Sequence, residues 1–258
     1  MNKAGNLRAF ATAVQFLTRV PVPGGNQPAG RDVLYRAVVF FPLVGSMIGV
    51  ITAVIFQAGA LVWPVWLAVI VALAIESLIT GAFHEDAVAD YFDAFGGGWT
   101  RTRILEILKD SRIGSFGAVA LILGLALRWG GMAAIDSGES FAAIVASTTI
   151  GRWVIIIMMS IISPVPHRDG LAKDIGQETN WKYLLAATIF ALPGTVYWVF
   201  RMPLQAAIAG FMLLAVIIIF RHTVRKNIGG ITGDCLGTIC YISQIIVLLA
   251  SALDLGHL

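Results

Sequence analysis

Four carboxylate side chains stand within ten residues of the sequence, in the segment HEDAVADYFD at positions 84–93. Only 13% of the residues in the chain are charged. Asp86, Asp90 and Asp93 are spaced i, i+4 and i+7, so a helix over this segment places their side chains on one face. Like charges at this spacing repel each other, and no Lys or Arg lies between positions 77 and 100 to offset the repulsion.

A divalent cation would offset this repulsion. Aspartate oxygens suit Mg²⁺, which proteins usually hold with one or two carboxylates while substrate phosphates complete the octahedron. We therefore predict that Asp86, Asp90 and Asp93 bind one Mg²⁺, or two ions spaced for displacement at phosphorus. The structural alternative is a solvated helix end that binds no ligand.

The residues that follow have the chemistry of a phosphate site. Gly96 and Gly97 belong to a glycine run whose backbone can approach a phosphate closely, although such a run is also typical of a turn. Glu106 and Asp110, at i and i+4, offer a second carboxylate pair. Three cations that can neutralise phosphate lie in the same segment: Arg103, Lys109 and Arg112. Together these groups predict metal-dependent phosphoryl transfer.

Three further residues are weaker candidates. Asp234 lies in GGITGDCLG at positions 229–237, which either caps the last helix or meets the first site in space. Glu85 lies inside the carboxylate cluster. His84 precedes that cluster, but the histidines of the chain show no HxxxH or HExxH spacing, so we expect no histidine metal site.

The elements that position these groups are membrane helices. The chain has 258 residues, 58% of them hydrophobic. No ionisable residue lies between Arg36 and Glu76, a run about twice the ~20 residues that one span needs, so two spans fold back near Trp63 and Pro64. Further apolar runs cover 115–135, 140–162, 183–200, 202–220 and 236–254. These continuous runs lack the alternation of transmembrane strands.

The fold class predicted is therefore all-α, a polytopic membrane helix bundle that forms one domain over residues 1–258, with about seven transmembrane helices. Residues 1–37 precede the first span as a cytoplasmic or interfacial segment. In that segment Phe10, Val14 and Leu17 share one helical face, which predicts an amphipathic helix lying in the membrane interface.

Basic residues indicate the orientation of the chain. Five precede the first span, none lies in the first hairpin, and four lie between the second and third spans. Because basic loops remain in the cytoplasm, we predict a cytoplasmic N-terminus and an outside C-terminus. The polar segments 83–114, 163–182 and 221–235 then face the cytoplasm, and so does the candidate site.

The remaining polar residues give mainly structural expectations. Glu76 and Arg152 lie at matching depths inside predicted spans, where an ion pair would lock two helices together. Cys235 and Cys240 predict neither a disulfide nor a metal site. No basic stripe with interleaved aromatic residues is present, so we expect no nucleic-acid partner. Seven spans with buried charges also suit a secondary transporter, but the sequence shows neither an internal repeat nor a broken helix near the midplane.

Several motifs together resemble the cobalamin synthase family, the adenosylcobinamide-GDP ribazoletransferases. The resemblance runs from FLTRVPVP at 16–23 and FPLVGSMIG at 41–49, through FHEDAVADYFDAFGGG at 83–98 and EILKDSRIGSFG at 106–117, to GGITGDCLG. The family often has Gly after the first and third aspartates, where this chain has Ala87 and Ala94. Alanine favours helix but narrows the access of the backbone to phosphate.

The resemblance implies an enzyme of the prokaryotic inner membrane that works late in adenosylcobalamin synthesis. Such enzymes join adenosylcobinamide-GDP to α-ribazole or its 5′-phosphate, release GMP and require Mg²⁺. By this resemblance Asp86 and Asp90 hold Mg²⁺, Asp93 or Asp90 serves catalysis, and Lys109 with Arg112 binds phosphate. The partners expected are these small molecules and membrane lipid, while homo-oligomerisation stays open. A phosphotransferase of the CDP-alcohol type fits less well, because Asp90 stands where its motif has Arg.

Overall fold

The computed structural model describes residues 3–22, 30–166 and 181–254. Within these residues the chain is helical, with one isolated β-bridge between Pro164 and Ile231 and no strand. The α-helices are α1 (Lys3–Leu17), α2 (Arg31–Ala37), α3 (Phe41–Ala60), α4 (Val65–Thr80), α5 (Phe83–Gly97), α6 (Arg101–Ile107), α7 (Ser115–Ala134), α8 (Ser137–Ile161), α9 (Trp181–Arg201), α10 (Pro203–Ile228) and α11 (Gly233–Ser251).

Six helical stretches in the described part of the chain are long and apolar enough to cross a membrane, and the bent pair α4 and α5 brings the total to seven. The prediction of an all-α, polytopic membrane bundle is therefore confirmed. The fold-back near Trp63 and Pro64 is also confirmed, because α3 ends at Ala60 and α4 begins at Val65.

The helix α8 forms the centre of the bundle and packs mainly on α3, α9 and α11. Small residues permit the close approach of its neighbours. A Cβ at Gly45 of α3 would lie 2.6 Å from the carbonyl oxygen of Thr148, and one at Gly151 of α8 would lie 2.8 Å from that of Cys240. Small residues at contacts between membrane helices let the backbones pack closely, and this van der Waals packing favours helix association in lipid.

Successive spans run antiparallel, so the ends of the helices alternate between the two faces of the bundle. The start of α3, the end of α4, the start of α7 and the end of α8 lie on one face. The start of α9, the end of α10 and the start of α11 lie on that same face. Of the polar segments, 83–114 and 221–235 are therefore gathered at one end of the bundle.

The second predicted span differs from expectation in one respect. The helix does not continue straight into the carboxylate segment, because α4 and α5 meet at a bend of 88°. Gly81 and Ala82 adopt positive φ values of 70° and 54° at the bend. The 16 residues of α4 rise about 24 Å, against about 30 Å of bilayer hydrocarbon, so this broken helix bends near a membrane face and not at the midplane.

Two predicted loops are largely helical. The segment 83–114 contains α5 and α6, and the segment 221–235 is mostly occupied by the end of α10 and the start of α11. Charged residues in the last two turns of α10 hid this extension, because a hydropathy criterion ends a span at the first cluster of charges. Of the predicted segment 163–182, positions 167–180 lie outside the described residues.

The N-terminal helix α1 packs along α2 and α3. Its most buried residues are Ala9, Ala13 and Leu17, while Phe10 and Val14 pack beside them as partly buried residues. The predicted helix is confirmed, and its apolar side lies against the protein. Its predicted place in the membrane interface stays a prediction.

Candidate active site

The carboxylate segment forms α5, a helix with two unlike faces. Ala87, Val88, Tyr91 and Ala94 are buried against the bundle. The ring of Tyr91 stacks on Phe220 of α10 at 5.0 Å between centroids. Packing of this apolar face fixes the helix, so the face that carries the aspartates is held at the polar end of the bundle.

Asp86, Asp90 and Asp93 lie on α5 with the predicted i, i+4 and i+7 spacing. Asp86 is exposed, and the other two are half-buried. Asp86 and Glu85 line a cavity of about 670 Å³ between α1, the bend and α7. Such a volume is in the range of small-molecule sites. The cavity is also lined by Arg19, which follows α1.

Arg19 is bound directly to the bend. Its backbone N–H donates to the carbonyl oxygen of Ile79 at 2.7 Å, and its side chain crosses Gly81 so closely that a Cβ there would contact the guanidinium. Glycine is therefore needed at position 81 for two reasons: its backbone is left-handed, and the side chain of Arg19 leaves no room for a Cβ. This contact brings a cation to the cavity that holds Asp86, which the carboxylate segment itself does not supply.

Asp93 has a structural partner. Its Oδ2 accepts a hydrogen bond from the backbone N–H of Gly114 at 2.6 Å, and its Oδ1 accepts one from Gly117 at 2.8 Å. These donors lie at the N-terminus of α7, where free N–H groups and the helix dipole favour an anion. A side chain at Gly117 would collide with Asp93 and with the carbonyl oxygen of Ala89. The contact therefore joins α5 to α7 and requires glycine.

The donor set fits Mg²⁺ held together with a substrate. Among the residues that the structure describes, no group of three or more His, Cys, Asp or Glu side chains is arranged to hold a metal ion. Mg²⁺ needs only one or two protein carboxylates when phosphate oxygens and water supply the rest. Asp86 at the cavity, with Asp90 one turn along α5, can provide such a pair.

The predicted phosphate-binding cations differ in their present partners. Arg103 donates to Glu106 at 3.2 Å on the exposed surface of α6. Arg112 donates to both oxygens of Asp110, at 2.9 and 2.7 Å, and these hydrogen bonds lower the pKa of the Asp110 carboxyl to about 2. The ammonium group of Lys109 has no hydrogen-bond or ion-pair partner within the described ranges.

Glu106 and Asp110 do not form the predicted second carboxylate pair. The prediction needed one helix through both residues, but α6 ends at Ile107 and Asp110 lies in the following turn. Each carboxylate binds a neighbouring Arg instead.

The two predicted phosphate-loop glycines have different surroundings. Gly96 and Gly97 form the exposed end of α5. A Cβ at Gly96 would lie 2.7 Å from the ring of Phe116, so this glycine permits packing against the start of α7. A Cβ at Gly97 would meet only Ile107 at an ordinary 3.8 Å. The backbone of Gly97 is therefore the more accessible of the two.

The segment with Asp234 both caps the last helix and packs on the carboxylate helix, the two arrangements that its sequence left open. Thr232 caps α11 by accepting from the N–H of Cys235 at 3.3 Å, and Asp234 lies in the first turn. The Thr238 hydroxyl donates to the carbonyl oxygen of Ala87 at 2.8 Å. The start of α11 therefore packs directly on α5.

The buried charges pair differently from the prediction. Glu76 accepts two hydrogen bonds from Arg128, at 2.8 and 2.9 Å, so the predicted ion pair with Arg152 is wrong. Arg128 also reaches Glu85 at 3.5 Å. The depth of Glu76 in the membrane, estimated from the sequence, could not decide whether its partner is Arg128 on α7 or Arg152 on α8. Glu85 is thus connected to the interior of the bundle, next to the cavity.

His84 is buried beside these charges and does not line the cavity. Its Nδ1, like Nε and Nη2 of Arg152, has no hydrogen-bond partner among the described side chains. His84 therefore belongs to the interior of the bundle.

Comparison with known proteins shows the family of the chain. A family model described as cobalamin-5-phosphate synthase matches residues 9–252. This chain belongs to the cobalamin-5-phosphate synthase family. A Ralstonia pickettii protein named adenosylcobinamide-GDP ribazoletransferase is 37% identical over 93% of each chain. A protein of the same name from Shewanella frigidimarina is 36% identical over 96% of each chain. One from Bradyrhizobium diazoefficiens is 36% identical over 95% of this chain and 94% of its own. No solved structure matches the chain.

The two alanines at which this chain departs from the pattern of the cobalamin-5-phosphate synthase family face the bundle. A Cβ at Gly237 of α11 would lie 2.5 Å from the Cβ of Ala87, and Ala94 is fully buried. The alanines therefore face α11 and the core, and they do not narrow the cavity beside Asp86.

Two residues at this end of the bundle were not predicted as site residues. Arg19 lines the cavity, and Arg101 donates from Nε to the carbonyl oxygen of Ile228 at 3.0 Å, which joins α6 to α10. The sequence could have indicated Arg19 as a site residue, because Arg19 lies inside FLTRVPVP, one of the segments that resemble the cobalamin-5-phosphate synthase family. For Arg101 only the fold shows the contact, since 127 residues separate the partners.

Proposed function

We propose that this chain is an adenosylcobinamide-GDP ribazoletransferase. It transfers the phospho-cobinamide moiety of adenosylcobinamide-GDP to α-ribazole or α-ribazole 5′-phosphate and releases GMP, late in adenosylcobalamin synthesis. The observation that carries this proposal is the match to relatives of that name over almost the whole chain. The cavity supports it, since it places a cation, Arg19, beside the carboxylate of Asp86, and a phosphate bound through Mg²⁺ needs both kinds of group.

The reaction is a displacement at phosphorus. A ribose hydroxyl oxygen of the acceptor forms a bond to the phosphorus nearer the cobinamide. The bond from this phosphorus to the bridging oxygen of the pyrophosphate breaks, and GMP leaves with that oxygen. The hydroxyl proton passes to a base, and no atom is oxidised or reduced.

We assign the metal to Asp86, which lines the cavity, and to Asp90, which lies one turn along the same face of α5. When bound, Mg²⁺ neutralises the charge that develops on the pyrophosphate. Both oxygens of Asp93 already accept backbone hydrogen bonds, so Asp93 positions α7 against α5. We also assign to Asp90, on the same face of α5 as Asp86, the acceptance of the hydroxyl proton.

Cations hold the phosphates of the substrate. Arg19 lines the cavity, and Lys109 is a solvent-exposed cation six residues before the first residue of α7, Ser115. Arg103 and Arg112 occupy exposed ion pairs, which are weak in water, so a multiply charged phosphate can compete for them. Asp234 and Glu106 have no assigned step in this mechanism.

The site faces the cytoplasm in this proposal. The basic residues of segments 83–114 and 221–235 lie at the same end of the bundle as the cavity, and basic segments remain inside. The enzyme would thus receive its substrates from the cytoplasmic side of a prokaryotic inner membrane.

A reaction assay tests the proposed activity. Membranes that contain the protein are given adenosylcobinamide-GDP, α-ribazole and Mg²⁺, and GMP and the cobamide product are quantified. We expect both products in equal amounts, dependence on both substrates, and loss of product when a chelator removes the metal. Absence of product under these conditions would exclude the assignment.

A further inference from the structure

A second cavity lies apart from the candidate active site. It has a volume of about 380 Å³ and is enclosed by α1, the junction of α2 with α3, and the first turns of α9. Two cations line it, Arg36 and Lys182, and none of the described residues that line it is acidic. It shares no lining residue with the cavity beside Asp86.

The floor of this second cavity is aromatic. Phe40 and Phe190 line it, with ring centroids 4.7 Å apart, and Phe10 meets Phe40 edge-on at 5.8 Å. Tyr183 lies beside them in the first turn of α9. The cavity thus places an apolar surface directly next to positive charge, which suits an amphipathic anion.

The second cavity lies at a membrane boundary. Residues from the start of α9 line this cavity. The helix α9 is a candidate membrane span of which only 22% is buried inside the protein, so most of the surface of α9 faces lipid. Trp181 at this end of α9 is exposed, and Trp and Tyr are typical of the bilayer interface. In a bilayer crossed by α9, the headgroup layer would lie at the height of Arg36 and Lys182, with the acyl chains beside α9.

We propose that the second cavity binds the headgroup of an anionic phospholipid. Arg36 and Lys182 contact the phosphate, and the glycerol and upper acyl carbons lie on Phe40 and Phe190. Basic pockets between membrane helices recognise lipids in this way, through charge attraction combined with apolar burial. The bound lipid connects α1 and α9 at the polar end of the bundle, and this role is independent of the reaction proposed above.

Thermal unfolding of the purified full chain in neutral detergent tests this proposal. Phosphatidylglycerol should raise Tm by at least about 3 °C more than the same amount of phosphatidylcholine, because a ligand of the native state stabilises it. The double substitution Arg36→Gln with Lys182→Gln should abolish the difference between the two lipids. The control Arg225→Gln with Lys226→Gln removes two exposed cations from the same end of the bundle and should preserve it.

Three outcomes would overturn the proposal: equal effects of the two lipids on the natural chain, an undiminished difference in the Arg36→Gln, Lys182→Gln variant, or an equal rise in Tm with inorganic phosphate alone, which would indicate a free phosphate site. The charge-preserving pair Arg36→Lys with Lys182→Arg provides a check on folding. It should retain the preference for phosphatidylglycerol, and its loss there would also contradict a headgroup site held by charge.

Discussion

At the scale of single residues, the charged groups of the candidate site differ in whether they are bound to other groups of the protein. Asp93 is bound by two backbone N–H groups, and Arg112 is bound by Asp110. Arg19 instead presents its guanidinium to the cavity that Asp86 lines. The spacing of the aspartates could be read from the sequence, but the backbone donors that bind Asp93 are 21 and 24 residues away and depend on the tertiary fold.

Arg19→Gln should lower kcat/KM for adenosylcobinamide-GDP about 10- to 100-fold, the usual loss for a hydrogen bond to a charged group. The backbone bond from residue 19 to Ile79 does not need the side chain, so Tm should change little. Steady-state kinetics with varied adenosylcobinamide-GDP measures the effect, and Arg8→Gln on the exposed side of α1 is the matched control. A kcat/KM within twofold of the natural chain would remove Arg19 from the site.

At the scale of elements, the contact between α5 and α7 depends on glycine. Asp93 approaches Gly114 and Gly117 so closely that a Cβ at either position would displace its carboxylate, and a Cβ at Gly117 would also meet the carbonyl oxygen of Ala89. The sequence SRIGSFG could be read as a loop followed by a helix, but it did not show which anion caps that helix. The bend between α4 and α5 was equally hidden, because two left-handed residues interrupt an otherwise continuous pattern.

Gly117→Ala should separate α5 from α7. The new Cβ would lie 2.6 Å from the carbonyl oxygen of Ala89 as well as against Asp93, and such overpacking costs about 1–3 kcal/mol. We expect a lower Tm and loss of most activity while all carboxylates are kept. Gly130→Ala, in the same helix with nothing within 4 Å, should preserve activity and raise Tm slightly. Equal behaviour of the two variants would refute the positioning role of Asp93.

At the scale of the whole molecule, the spans could be predicted because hydropathy is a local property of the chain. The assignment of six or seven membrane helices needed no tertiary information. The meeting of α5, α6, α7 and α11 at one end did need it, since that meeting follows from antiparallel packing. Glu76 illustrates the limit, because its partner is Arg128 on α7 and not the arginine on α8.

Cysteine labelling tests the orientation of the bundle. Ser111→Cys lies at the end that carries the site and Ser137→Cys at the opposite end, and both positions are exposed. The natural Cys235 and Cys240 are buried and should not react. In intact cells an impermeant maleimide should label position 137 and spare position 111, whereas labelling confined to position 111 would reverse the orientation.

The central claim is that the aspartate face of α5 performs a metal-dependent transfer. Its most direct test is the rate of GMP release by the purified protein as Mg²⁺ is varied, in the natural chain and in Asp90→Asn. We expect Asp90→Asn to be slower by about 100-fold or more. Asp32→Asn, an exposed acid on α2, should match the natural chain. If Asp90→Asn kept the natural rate and the natural Mg²⁺ dependence, the assignment of the site to α5 would be contradicted.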